Sequence, residues 1–169
     1  KSELIIAGSN FIFDHINQNY KNYLMGKKKL LVIFRGINLE YFNSRNISEK
    51  KKIDLIKAWR IEENKFVILL PGRLTKWKGQ ENFVESLNVL VEDHQQYDFQ
   101  AIILGSDQGR NVYSKKIKNL VERYNLNNKI KFVEHCSEMP IAYSVANLVI
   151  SSSIEPEAFG RVAVEAQAM

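Results

Sequence analysis

An α/β fold, a Rossmann-like doubly wound parallel sheet, is what this sequence predicts. Three observations lead there. Short β-branched or apolar runs alternate with stretches of helical period along the 169 residues. The runs are apolar almost throughout rather than alternating with polar residues, as in strands buried on both faces. The helical stretches between them supply the crossovers that parallel strands need, and cover the sheet.

The elements follow in chain order. "ELIIA" (3–7) is a strand, and Ser9 is placed to cap a helix running to about Tyr23. "LLVIF" (30–34) is the next strand. "RGINLEYFNSRNISEK" (35–50) is rich in Asn, Ser and charge and reads as a linker. "FVILLP" (66–71) resumes the strands. In "QENFVESLNVLVEDH", Phe83, Val84, Leu87, Leu90 and Val91 fall on one helical stripe. "QAIILG" (100–105) is a strand, followed by a second stripe of Tyr113, Ile117, Leu120, Val121 and Tyr124. "KIKFV" (129–133) is a strand, and Ser137 with Pro140 signals a short helix. "NLVISS" (147–152) is the last strand, then comes a loop "IEPEA" and a helix over "FGRVAVEAQAM" (159–169). No internal repeat or low-complexity segment interrupts this order. The first strand starts almost at residue 1, and the last helix is apolar to Met169 with no Gly or Asn cap. A piece of a longer protein is therefore expected.

Composition narrows the function classes. With 45% hydrophobic and 25% charged residues the chain has the balance of a soluble globular protein. Its apolar runs are far shorter than the roughly 20 residues a spanning helix needs, and no signal peptide is read at the start. The one cysteine, Cys136, cannot close an internal disulfide, and no Cys/His set has zinc spacing. A cytoplasmic location is expected, with Cys136 as a small, partly buried hydrophobe. Net charge is +5, with lysines crowded into "GKKKL" (26–30) and "EKKKI" (49–53). These read as solvated faces; attraction to an anionic membrane surface or to phosphate-bearing substrates is the functional alternative. No nucleic acid partner is expected, because no groove-reading or aromatic-basic motif is present.

In an open α/β sheet, ligands sit at the carboxyl ends of the strands. Three such ends are informative. In "PGRLTKWKGQ" (71–80), Arg73 and Lys78 can converge on one anion while Gly72 lets backbone approach it. A basic loop with solvated side chains is the other reading. "LGSDQGRN" (104–111) carries two glycines but no dinucleotide fingerprint, so it reads as a turn into the next helix with Asp107 as a cap. In "EPEAFGRVAVEAQAM" (155–169), the amides of Phe159 and Gly160 make an anion seat at a helix start. Glu157 precedes that helix and Glu165 lies about one and a half turns inside it. Carboxylates suit sugar and ribose diols. Charge placement near a helix start explains Glu157 equally well but not Glu165. His15, His94 and His135 are scattered, and no Ser/His/Asp set is indicated by spacing.

Several of these segments resemble one family. "EAFGRVAVE" (157–165) looks like the Glu-x7-Glu motif of family-four glycosyltransferases, retaining enzymes of the GT-B fold. "GRLTKWKG" (72–79) resembles their phosphate loop, "VIFRGINLEYF" (32–42) the segment joining their two domains, and "IIAGSNF" (5–11) the last strand and Ser of their N-terminal domain. "FVEHCSEMPIAYSVANLVISSSIEPEAFGR" (132–161) resembles the strand, loop and helix beside the nucleotide base. Glu134 stands where the family usually has Gly, and Arg35 where it commonly has Asn.

The resemblance covers nearly the whole chain and is strongest to bacterial members that build lipopolysaccharide core. It implies a tail of the N-terminal domain at 1–35, an interdomain linker at 36–50, and a truncated donor-binding domain at 51–169. It implies that Arg73 and Lys78 hold the donor diphosphate and neutralise the leaving group without metal or other cofactor. Gly72 and the Phe159 and Gly160 amides would border the phosphates. Glu165 would take the ribose hydroxyls, Glu157 the donor sugar, and the main chain near Val133 the base. The implied partners are a nucleotide-sugar donor, a glycan or lipid-linked acceptor, and a peripheral contact with the inner face of the cytoplasmic membrane. The isolated piece is expected not to transfer sugar. Two other classes compete: a non-catalytic nucleotide-binding regulatory subunit, and another GT-B enzyme such as a nucleotide-sugar epimerase or a phosphorylase.

Overall fold

The structure, a computed structural model, describes residues 3–24, 29–94, 97–109 and 111–169. Residues 26–28 of the first lysine run and residue 110 lie outside the described residues. The chain starts with a βαβ unit: β1 (Leu4–Ala7), α1 (Asn10–Asn19) and β2 (Lys29–Val32). The two strands pair in parallel, from Leu4 beside Lys29 to Ala7 beside Val32. Ser9 caps α1 as expected, its hydroxyl accepting from the Ile12 N–H at 3.3 Å. The helix is shorter than expected: it stops at Asn19, and a separate tight turn spans Lys21–Tyr23. β2 ends at Val32, leaving Ile33 and Phe34 exposed beyond it.

A four-stranded sheet follows. β3 (Phe66–Pro71), β4 (Phe99–Leu104), β5 (Ile130–Val133) and β6 (Leu148–Val149) stand in the order β5-β4-β3-β6, all parallel. Successive strand residues point to opposite faces, and both faces are covered. Ile68, Leu70, Ala101 and Ile103 pack against Phe83, Val84 and Leu87 of α3 (Gln80–Asp93) and Ile117, Leu120 and Val121 of α4 (Asn111–Arg123). Val67, Leu69, Ile102 and Leu104 pack on the other face against Phe42, Trp59 of α2 (Glu49–Trp59), and Ala142 and Tyr143 of α5 (Met139–Ser144). That two-sided burial is why Gln100 is the one polar residue in β3 and β4. Each fully buried aliphatic side chain here contributes about 1.5–3 kcal/mol. The doubly wound parallel sheet is thus present. Among the described residues no helix is long and apolar enough to cross a membrane.

Several local expectations are corrected. α2 is a helix that the sequence reading did not contain; it begins at Glu49, inside the stretch read as linker, with Ser48 accepting from the Lys51 N–H. Its Lys50 and Lys51 are exposed, but Lys51 is ion-paired to Glu138 at 2.6 Å and Lys52 is half-buried, so the second lysine run is a solvated face only in part. The linker stretch is also pinned to the domain. Phe42 is only 5% exposed, and the Asn38 side chain accepts from the Glu40 and Tyr41 amides. β6 has two residues rather than six, because only Leu148 and Val149 pair with β3. Ser137 does not cap α5; Glu138 takes that position without a side-chain bond, and Pro140 sits in the first turn. The final helix, α6 (Arg161–Gln167), starts two residues after Phe159.

Candidate functional site

The carboxyl ends of β3, β4 and β5 are laced together. The Gly72 N–H donates to the Leu104 carbonyl and the Gly105 N–H to the Val133 carbonyl, each at 2.8 Å. A Cβ on Gly105 would lie 2.0 Å from the Gly72 carbonyl oxygen, so only glycine lets these two strand exits meet. Above them is an open cavity of about 260 Å³ lined by Gly72, Arg73, Gly105, Ser106, Glu134 and His135, among others. Val133 ends β5 one residue before the lining Glu134. Cys136 also borders it, half-buried, and burial pushes its thiol pKa up.

The loop after β3 closes in a tight turn, Lys76–Lys78, followed by Gly79. Gly79 is left-handed at φ 71°, and a Cβ there would come within 1.9 Å of the Ser152 carbonyl oxygen. The close approach has a purpose that the bonds reveal. The Ser152 hydroxyl donates to the Lys78 and Gly79 carbonyls at 3.0 and 3.1 Å, and the Ile154 N–H donates to the Trp77 carbonyl at 2.9 Å. The loop leaving β6 is thereby clamped to the turn leaving β3. Gln80, fully buried, donates from Nε2 to the Arg73 carbonyl at 2.8 Å and steadies the other end of the turn.

The clamp brings Glu157 to Lys78. Lys78 Nζ lies 2.7 Å from Glu157 Oε1, with both side chains largely buried. The Ser153 hydroxyl donates to the same oxygen. Burial works to raise the Glu157 carboxyl pKa, but the hydrogen bonds from Lys78 and Ser153 outweigh it and hold the group below its ordinary value. Trp77 lies between the two cations: Lys78 Nζ is 4.4 Å and the Arg73 guanidinium carbon 6.0 Å from its ring centre. Arg73 itself is exposed. The strand-end loop therefore presents an exposed guanidinium beside an ammonium already paired to a carboxylate.

Glu165 sits in a different setting. It is on α6, 5% exposed. The Tyr143 hydroxyl donates to its Oε2 at 2.8 Å, and Arg161 Nη2 lies 2.6 Å from its Oε1. Burial, then the bond to Glu165, pushes the Tyr143 phenol well above its ordinary pKa. Gly160 is the N-cap residue of α6 and Phe159 directly precedes it, so their amides stand at the start of that helix. Asp107 is not placed as a simple helix cap. It accepts from the Gly109 N–H and from the Ser114 hydroxyl of α4 and so folds the loop after β4.

Gly72, Arg73, Lys78 and Glu157 thus fall in one neighbourhood, with Val133 one residue before the adjoining cavity's Glu134. Glu165 is held separately by α5 and α6. Sequence reasoning missed Ser152, Ser153, Gln80, Trp77 and Tyr143. Trp77 had a signal, since it stands between Lys76 and Lys78 in the basic loop; the serines and Tyr143 carry no local signal.

Comparison with known proteins follows the same lines. A model of the family described as glycosyl transferases group 1 matches residues 51–169. An uncharacterized glycosyltransferase of Methanocaldococcus jannaschii is 29% identical over 142 residues, covering 83% of this chain and 34% of that protein. A crystal structure of a glycosyltransferase from Rickettsia africae superposes with a TM-score of 0.86 at 35% identity, covering 97% of this chain and 41% of the other. Anabaena HepE in complex with UDP and glucose superposes with a TM-score of 0.81 at 27% identity, covering 99% of this chain and 42% of the other. The chain therefore spans about a third to two fifths of the length of these proteins. With a matching family model over most of its length, and the same parallel-sheet domain in its structural relatives, this chain belongs to the glycosyl transferases of group 1.

Proposed function

We propose that the protein transfers a sugar from a nucleotide-diphosphate sugar to a glycan or lipid-linked acceptor with retention of configuration, and that this chain supplies the donor-binding part. The observation that carries the reading is the joining of two distant loops. Arg73 and Lys78 stand at the end of β3, and Glu157 is delivered to Lys78 by the loop after β6. Support for a nucleotide-sugar donor comes from Anabaena HepE, whose crystals hold UDP and glucose.

The chemistry suits that geometry. Breaking the bond between sugar and diphosphate builds positive charge on the sugar and negative charge on the leaving phosphate. Fixed cations aimed at that phosphate are the largest single source of rate. Arg73 offers a forked grip and Lys78 a compact charge. Both recorded bonds to Glu157 fall on Oε1, which leaves Oε2 to accept from sugar hydroxyls. The Phe159 and Gly160 amides border the same phosphates, Glu165 takes the ribose hydroxyls, and the main chain near Val133 meets the base. Arg73 and Lys78 supply the positive charge in this reading, with no metal. An acceptor of the lipopolysaccharide-core kind rests on the resemblance of the motifs. The exposed lysines of α2 favour work at the inner face of the cytoplasmic membrane.

Calorimetry on the full-length protein tests this. UDP, GDP and ADP are titrated beside the matching nucleosides, with and without EDTA. Arg73→Ala should weaken the diphosphate at least tenfold (about 1.4 kcal/mol) and the nucleoside hardly at all, and EDTA should change neither. Equal losses for diphosphate and nucleoside would remove Arg73 from the phosphate site, and loss of binding in EDTA would overturn the metal-free reading.

A further inference from the structure

We propose that Tyr143 is a positioning residue, its hydroxyl fixing the Glu165 carboxylate so that Oε1 is presented to the ribose of the donor. The proposal rests on the reading of Glu165 as the ribose ligand.

The two groups that hold Glu165 differ in kind. Arg161, one helical turn before it, is a full counter-charge with a side chain 58% exposed. Tyr143 is a neutral donor, 4% exposed, brought from α5. A buried carboxylate needs compensation, and Arg161 already supplies the charge. The Tyr143 ring has a separate task. It packs in the core beside Val67, Leu69 and Ala142, with the Phe42 ring 6.2 Å away. Phenylalanine would perform that packing equally well. The hydroxyl is therefore what remains to be explained, and among the described residues it donates to Glu165 Oε2.

That bond has a directional consequence. A carboxylate is planar, so tying Oε2 to a group locked in the core sets where Oε1 points. Oε1 then faces the exposed guanidinium of Arg161. A carboxylate oxygen accepts more than one hydrogen bond, so a ribose hydroxyl can join or replace Arg161 there. The rotamer freedom of Glu165 is lost on folding and does not have to be lost again on binding. Burial keeps the phenol protonated, hence a donor, at any working pH.

The test reads the contribution of the ribose alone. In the full-length protein, UDP, GDP and ADP are each titrated beside their 2′,3′-dideoxy forms, and the tightest pair is followed. The ratio of the two dissociation constants does not depend on the fraction of folded protein. Glu165→Gln should collapse the ratio. Tyr143→Phe should shrink it about tenfold, raising the KM for donor while kcat holds. In the double variant the two losses should overlap. If Glu165→Gln leaves the ratio intact, the ribose reading fails and the proposal fails with it. If Glu165→Gln collapses the ratio but Tyr143→Phe only lowers the melting temperature, the hydroxyl is merely structural and the proposal alone is overturned.

Discussion

Glu157 and Glu165 lie eight positions apart, yet they occupy opposite kinds of environment. Glu157 is on a loop, paired with a lysine that reaches it from another strand end. Its setting is ionic and adjustable: Lys78 and Ser153 share one oxygen, and Trp77 flanks the ammonium. Glu165 is on a helix, sealed at 5% exposure between a core phenol and a neighbouring guanidinium. The difference teaches that burial, more than residue type, assigns the work. A loop carboxylate that shares its cation can yield that cation to a diphosphate. A core carboxylate held at one oxygen by a buried phenol can present only the other, which here faces the exposed Arg161 guanidinium.

Three measurements would break or sharpen this contrast. The largest effect should come from the loop, in activity. Lys78→Ala removes one of the two cations proposed to hold the leaving phosphate and should cut kcat/KM of the full-length protein about 100-fold or more; transfer close to wild type would take Lys78 out of the chemistry. The next effect should come from the helix, in stability. Glu165→Ala leaves the buried Tyr143 hydroxyl without its acceptor and should lower the unfolding free energy by about 2–3 kcal/mol in denaturant titration. Glu157→Ala should lower it by less, since the Lys78 ammonium keeps its place over the Trp77 ring at 4.4 Å. Equal losses would erase the distinction between the two sites.

The smallest effect should appear in acid. The folded pKa of Glu157 is held below its ordinary 4.5. A group shifted down contributes stability that is full above the unfolded pKa and is lost as pH falls through the folded value. Between about pH 5 and pH 3, wild type should therefore lose stability more steeply than Glu157→Gln. Parallel slopes would mean that Lys78 and Ser153 do not hold the carboxylate down.

Much of the fold was legible in the residues. The apolar runs at 66–71 and 100–105 match β3 and β4 closely because both faces of those strands are buried, so every position reports burial. The stripe through Phe83, Val84 and Leu87 marked α3 for the same reason. Legibility fell where burial is partial. α2 carries Ile53, Leu55, Ile56, Ala58 and Trp59 but buries Trp59 alone, and the lysine run at its start hides the helix; its capping Ser48 was the available signal. The expected last strand is longer than β6 because its end carries no ladder: the Ile150 N–H still donates to the Leu69 carbonyl at 2.9 Å, but Ser151 and Ser152 lie beyond the pairing with β3.

The site divides in the same way. Gly72, Arg73, Lys78, Glu157 and Glu165 could be picked from the sequence, because strand-end loops with glycines, cations and carboxylates are chemically conspicuous. Local periodicity and residue type were enough for that, since both are properties of neighbouring positions. Only the tertiary structure could decide who meets whom. Lys78 finds Glu157 across 79 positions because a left-handed Gly79 lets the Ser152 backbone come into contact. Tyr143 finds Glu165 across 22 positions, from one short helix to another. Phe42 leaves the stretch read as linker to pack against that same phenol. Pairings of this kind depend on sheet order and close packing, which a sequence specifies only through the whole fold.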